Sequence, residues 1–145
     1  MWSPRLVLLF GLLSTSASAV ENKCDIELIS PSGWESKEIS PGILLQSPSI
    51  NGSITISCMV LEKSLSDIEF MLYVGTEEPS EAPPLKKLGE FRGQLGAIFP
   101  DQHREWFLLK DKVYVHVVLS VEDESLYKGL INTVGETIET FKIVL

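Results

Sequence analysis

Residues 50–60, INGSITISCMV, decide the fold class of this chain. From Ile54 onward the side chains alternate, with Ile54, Ile56, Cys58 and Val60 on one side of an extended backbone and Thr55, Ser57 and Met59 on the other. Such a period of two is typical of a strand that buries one face. The stretch therefore predicts a β-strand of a sheet domain.

The same stretch carries two marks of the secretory pathway. Asn51, Gly52 and Ser53 form an N-x-Ser acceptor for an N-linked glycan. The chain has two cysteines, Cys24 and Cys58, and the secretory route makes a disulfide their expected state. A Cys24–Cys58 bridge closes a loop of 35 residues, which stabilises by about 3.8 kcal/mol in the chain-entropy model. We expect a structural bridge, because a redox pair is normally C-x-x-C.

Residues 1–19 are expected to be a cleaved signal peptide. Arg5 precedes the apolar run 6–13, and the small residues 17–19, ASA, fit a cleavage site. The run is shorter than the roughly 20 apolar residues that a membrane anchor needs. Removing 19 of the 145 residues leaves 126, so we expect residues 20–145 to form a single domain without a transmembrane segment.

The charge of the chain disfavours several partners. The formal net charge is -8, and it becomes -9 once Arg5 is removed with the leader. Affinity for nucleic acid comes largely from Lys and Arg that displace counterions from phosphates, so we expect no nucleic-acid partner. Anionic membranes are disfavoured for the same reason. The acidic surface is expected to serve solubility more than docking.

Several other segments also have a period of two. Residues 24–28 and 113–121 alternate clearly, residues 68–74 place Ile68, Phe70, Leu72 and Val74 on one side, and residues 137–145 predict a last strand in which Phe141, Ile143 and Leu145 share a face. Residues 127–131 are interpreted as a return strand. We count seven or eight strands separated by turn residues, and no helix. The sequence predicts an all-β fold, an immunoglobulin-like or fibronectin-like antiparallel β-sandwich of about seven strands.

Catalytic chemistry has little support in the sequence. His103 and His116 share no local motif with each other or with a cysteine, and no serine lies in a G-x-S-x-G elbow. The acidic run 122–124 lacks the spacing of a calcium loop and is interpreted as a solvated turn. We expect no catalytic residue, no metal and no cofactor. An enzyme remains an alternative if distant residues converge on a pocket that holds a histidine beside a carboxylate.

A protein partner is the more favoured function. Met71, Tyr73, Tyr114 and Val118 are apolar or aromatic at positions where alternation calls for polar side chains, so they form the candidate partner surface. Trp34 and Trp106 are interpreted as covering an end of the core more than as exposed anchors. We expect a non-catalytic protein-binding domain.

A family resemblance rests on motifs along most of the mature chain. These are Cys24 followed by Pro31 and Ser32, then ITISC at 54–58, MLYVG at 71–75, VYV at 113–115, DESLY at 123–127 and FKIV at 141–144. They resemble the lumenal domain of the delta-subunit family of the translocon-associated protein complex. The resemblance implies an endoplasmic-reticulum protein without enzymatic activity, with a Cys24–Cys58 disulfide, that acts beside the protein-conducting channel.

Two features differ from that family. Residues 77–84 are acidic and rich in proline, where the family has a more compact turn, and the sequence ends at Leu145, where the family continues into a membrane-spanning helix. We therefore expect a product in the endoplasmic-reticulum lumen or outside the cell. The alternative function is a secreted immunoglobulin-like ligand, decoy or receptor fragment that acts on a partner outside the cell.

Overall fold

The computed structural model describes residues 24–39, 42–76, 78–81, 84–95 and 103–145. The expected signal peptide lies outside these residues. The strands are β1 Asp25–Glu27, β2 Glu35–Ile39, β3 Gly42–Ser47, β4 Gly52–Val60, β5 Lys86–Leu88, β6 Phe91–Leu95, β7 His103–Lys110, β8 Val113–Val121 and β9 Lys142–Val144. The helices are α1 Asp67–Tyr73 and α2 Tyr127–Ile138, with single 3-10 turns at Pro79–Glu81 and Glu124–Leu126.

The strands form two antiparallel sheets. One has seven strands in the order β2-β3-β4-β8-β7-β6-β5, and the other is the pair β1-β9. The expected class is confirmed: the chain is mostly β and consistent with a β-sandwich, with little helix. Strand β4 lies between β3 and β8, and its register with β8 runs unbroken from Gly52 opposite Val121 to Val60 opposite Val113.

The hydrophobic core lies on one face of the large sheet. Alternate residues of β8 from Val113 to Val121 are buried, as their period of two predicted. Helix α2 and the β1–β9 pair supply the opposing layer, because Val134, Ile138 and Ile26 belong to the same cluster of buried residues. We call this face of the large sheet the inner face. The opposite face of the large sheet is called the outer face below.

The disulfide between Cys24 and Cys58 is present, with 5.7 Å between the two Cα atoms. It joins the residue that precedes β1 to β4, so it fastens the two-stranded sheet to the middle of the large sheet. This confirms the predicted bridge. Asn51 lies exposed in the turn between β3 and β4, with φ of 51°. Among the described residues, no helix is long and apolar enough to cross a membrane.

The prediction of a strand over residues 68–74 is wrong, because Asp67–Tyr73 is helix α1. The Ser66 hydroxyl accepts a hydrogen bond from the Glu69 backbone N–H at 3.2 Å, and the Glu69 carboxylate accepts one from the Ser66 N–H at 2.9 Å. This reciprocal capping box satisfies backbone donors that a short helix otherwise leaves free. The capping box at Ser66 and Glu69 therefore starts a helix here, although the apolar residues alternate as in a strand.

The return strand expected over residues 127–131 is also wrong. Tyr127–Ile138 is helix α2, and the last strand is confined to Lys142–Val144. The helix buries Tyr127, Val134 and Ile138, whose spacing places them on one helical face. Phe141 is buried as expected, but Leu145 is 84% exposed and does not share its environment.

Candidate functional site

The outer face of the large sheet carries a row of aromatic rings. Phe107 and His116 are direct partners across β7 and β8, and their rings stack at 5.2 Å with an interplanar angle of 5°. The His116 and Tyr114 rings follow at 6.3 Å, and Tyr73 of α1 meets Tyr114 edge to face at 5.5 Å. We call these four side chains the aromatic row. It joins β7 and β8 to helix α1.

His116 is also paired with a carboxylate. Its Nε2 lies 2.5 Å from Oε1 of Glu105, and the two side chains are 30% and 14% exposed. The enzyme alternative required a histidine beside a carboxylate in a pocket. The structure places His116 beside Glu105 on the outer face of β7 and β8. The carboxylate and the neighbouring rings fix the orientation of the imidazole.

Among the described residues, no group of three or more His, Cys, Asp or Glu side chains could hold a metal ion. The side chain of His103 lies outside the described part of the chain.

The acidic run 122–124 has a structural role. Asp123 accepts hydrogen bonds from the hydroxyl and the backbone N–H of Ser125, and these bonds lower its pKa. Asp123 thereby caps the 3-10 turn that leads into α2.

The half-buried phenol of Tyr114 is held in its neutral form. Burial raises the pKa of Tyr114 to about 12, and the neighbouring Tyr73 and Glu105 add to the shift because a second negative charge there is unfavourable. The hydroxyl therefore remains protonated throughout the physiological range.

A group of exposed apolar side chains lies on α1 and near the end of β4. Its members are Met59, Ile68, Leu72 and Tyr73, with exposed fractions of 42%, 54%, 55% and 50%. The Tyr73 hydroxyl lies 3.9 Å from the Met59 sulfur, which joins the end of β4 to α1. Ile68 and Leu72 are four residues apart and share one helical face. We call these four side chains the α1 patch.

Helix α1 is fixed firmly to the sheet. Phe70 is fully buried and meets Tyr114 edge to face at 5.7 Å. Asp67 forms an ion pair with Arg92 of β6 at 2.8 Å. The pKa of Glu69 is lowered, first by the hydrogen bond from the Ser66 backbone and then by Lys63. The patch is therefore presented on a capped and anchored helix.

The structure brings together only part of the predicted partner surface. Tyr73 and Tyr114 are in contact, although Tyr114 is half-buried beneath α1. Met71 was expected to be exposed, and this is wrong: it is 3% exposed, because the helical period turns it toward the sheet. Val118 is half-buried on the outer face, opposite Glu105 and Thr55.

Three members of the patch were missed from the sequence, namely Met59, Ile68 and Leu72. The S-x-x-E pattern at Ser66 and Glu69 is the signal that could have identified the helix and hence the exposed pair on it. Trp106 is 3% exposed, and it covers the core as predicted.

No protein-family model matches the chain, and no curated protein is similar to it in sequence. A solved structure of a protein from Bacteroides thetaiotaomicron VPI-5482 is similar in fold, with a TM-score of 0.55 and 17% sequence identity. The match covers 83% of this chain and 48% of that one, so the chain spans about half the length of the matched protein. The similarity shows the fold alone, and the resemblance to the translocon-associated family stays a prediction.

Proposed function

We propose that this chain is a non-catalytic domain of the secretory pathway that binds another protein through the α1 patch. The observation that carries the proposal is the concentration of exposed apolar side chains. Of the seven large hydrophobic residues that are exposed in the described part of the chain, four lie in this patch. Clustered exposure of this kind is typical of interaction sites, whereas single exposed hydrophobics are ordinary.

The chemistry of the patch suits a protein partner with an apolar pocket. Tyr73 offers a large ring and a hydroxyl, and tyrosine is enriched among the residues that dominate binding energy. Charges at its rim are largely matched, since Asp67 pairs with Arg92, and Glu69 pairs with Lys63 at 3.3 Å. A patch of four side chains is small beside a standard interface, so we expect a reversible, transient complex.

A location in the endoplasmic-reticulum lumen or outside the cell fits the other features. The Cys24–Cys58 bridge needs an oxidising compartment to persist. Asn51 is exposed at a hairpin, where a glycan can be attached without disturbing the core. The family resemblance favours a partner beside the protein-conducting channel, and the alternative is a receptor outside the cell.

Site-specific photocrosslinking tests the proposal. A benzophenone amino acid at Leu72 in the full chain should capture a defined partner in cells, whereas the same group at Lys128, exposed on α2, should not. Tyr73→Ala should weaken capture from position 72 without unfolding the domain, because the side chain is half exposed.

Lysate and culture medium are to be analysed separately. Channel components in the lysate adduct would support the translocon-associated function, and a surface receptor bound to protein from the medium would favour the secreted ligand. Equal adducts from positions 72 and 128 would show that the α1 patch is not the binding site.

A further inference from the structure

A groove lies between helix α2 and the β5–β6 edge of the large sheet, away from the α1 patch. Its volume is about 710 Å³, within the range of sites that take small molecules. Trp106, 3% exposed, lies at its base, and the half-buried Leu88 and Ile131 form apolar walls on opposite sides. The groove therefore offers a hydrophobic surface to a molecule of modest size.

The backbone of the β5–β6 turn packs directly against the backbone at the C-terminal end of α2. Gly89, in the β5–β6 turn, has φ of +62°, and a β-carbon there would lie 3.0 Å from the Cα of Glu139 just after α2. Phe91 of β6 and Phe141, which follows α2, meet edge to face at 6.2 Å. The hairpin is thus seated on the C-terminal end of the helix, and the groove is preformed.

Gly135 leaves space inside the groove. Glycine in a helix interior costs about 1 kcal/mol relative to alanine. Gly135 lines the groove, and a β-carbon at this position would meet no heavy atom within 4 Å. Packing of the helix therefore does not require glycine here. The absent side chain keeps open a volume that almost any other residue would occupy.

The mouth of the groove favours a positive charge. Two carboxylates, Glu136 and Glu139, line it against one ammonium group, Lys86. Neither carboxylate forms an ion pair with any residue that the structure describes. The chain as a whole carries a formal charge of -8. The local and global fields both attract cations and repel anions.

We infer that this groove is a binding site for a small amphipathic amine. The apolar or aromatic body of the ligand lies against Trp106 and Ile131, next to the space left by Gly135. Its ammonium group lies at the mouth beside Glu136 and Glu139. The site lies apart from the α1 patch, so it can be tested independently of the proposed protein partner.

Octylamine and octanoate test the inference, because they share an alkyl body and carry opposite charges at pH 7. Each is titrated into the purified protein and followed by two-dimensional ¹H–¹⁵N NMR. Octylamine should shift the Trp106 indole N–H and the Gly135 amide saturably, with an affinity about tenfold or more above that of octanoate. Equal affinities, a preference for octanoate, or no shift at these two signals would overturn it.

Two glycines of α2 give a matched pair of variants. Gly129 also has no heavy atom within 4 Å of an added β-carbon, but it is exposed and does not line the groove. Gly135→Leu should lower the affinity for octylamine about tenfold or more, and Gly129→Leu should leave it unchanged. Both replacements raise helix propensity, so thermal unfolding should show both variants folded.

A second variant tests the charge without filling the groove. Glu136→Gln combined with Glu139→Gln should reduce the preference for octylamine over octanoate several-fold while the NMR shifts still map to Trp106. An unchanged preference in this variant, or undiminished octylamine binding in Gly135→Leu, would refute the assigned site.

Discussion

Glu90, in the turn between β5 and β6, accepts a hydrogen bond from Lys142 of β9, with 2.9 Å between Oε2 and Nζ. Its other carboxylate oxygen pairs with Lys110 at the end of β7. One side chain thus links the edge hairpin and the large sheet to the two-stranded sheet. The hydrogen bonds from Lys110 and then Lys142 lower the pKa of Glu90 to about 2.

The first prediction concerns acid stability. The carboxyl has an ordinary pKa of 4.5 and a folded-state pKa of about 2, so its contribution is complete above pH 4.5 and is lost as the pH falls toward 2. Urea unfolding between pH 6 and 2.5 should show the native protein losing more stability than Glu90→Gln. The ion pairs of Glu90 contribute modestly to the free energy of unfolding, because these side chains are partly exposed. Glu62→Gln is the control, and it should lose stability with falling pH as the native protein does. If the free energy of unfolding of Glu90→Gln fell with pH as steeply as that of the native protein, the prediction would be contradicted.

The second prediction separates the helix from the strand at residues 67–73. Phe70 is fully buried and Leu72 is 55% exposed, although a strand would place both on one face. Phe70→Ala should lower the free energy of unfolding by about 3–5 kcal/mol because it leaves a cavity. Leu72→Ala should change it by no more than about 0.5 kcal/mol. Denaturant titration measures both, and equal losses would indicate the strand.

This segment shows how far the sequence could predict the fold. Strands β4 and β8 were predictable because each is paired on both sides and packs a single face onto the core, so their alternation reflects burial directly. At residues 68–74 the same alternation arises by coincidence, and the capping box decides the outcome. Helix α2 was missed because Gly129 and Gly135 lower the helix propensity of residues 127–138.

The sites depend on contacts that no local pattern contains. Met59 is the penultimate residue of β4 and Tyr73 is the last residue of α1, so only the tertiary fold places the hydroxyl beside the sulfur. The groove beside α2 similarly needs β5, β6, β7 and α2 together. The disulfide was predictable because only two cysteines had to pair.

The third prediction concerns that disulfide. Replacing both Cys24 and Cys58 with alanine should lower the free energy of unfolding by about 3–4 kcal/mol, since the open chain regains loop entropy. Dithiothreitol should destabilise the native protein by a similar amount and leave the double variant unaffected. Amide exchange should rise first in β1 and β9, which the bridge holds to β4. Two free thiols in the unreduced protein, detected by intact-mass labelling, would contradict the bridge.

The fourth prediction concerns the glycan on Asn51. Asn51→Gln and Ser53→Ala should both increase electrophoretic mobility, because each destroys the acceptor, and Ser53→Thr should retain the native mobility. Ser53 lies in β4 opposite Ser120 and Gln46, where threonine suits a strand. Unchanged mobility in Asn51→Gln would show that the site is not used.

The position of Asn51 also predicts that its glycan does not cover the α1 patch. Asn51 immediately precedes β4 and Met59 is near its other end, so about eight residues at roughly 3.3 Å each place them about 26 Å apart. The glycan therefore lies at the opposite end of the strand from the α1 patch. Removing it with Asn51→Gln should leave photocrosslinking from Leu72 unchanged. A loss of that adduct would mean that the partner also contacts the β3–β4 turn or its glycan.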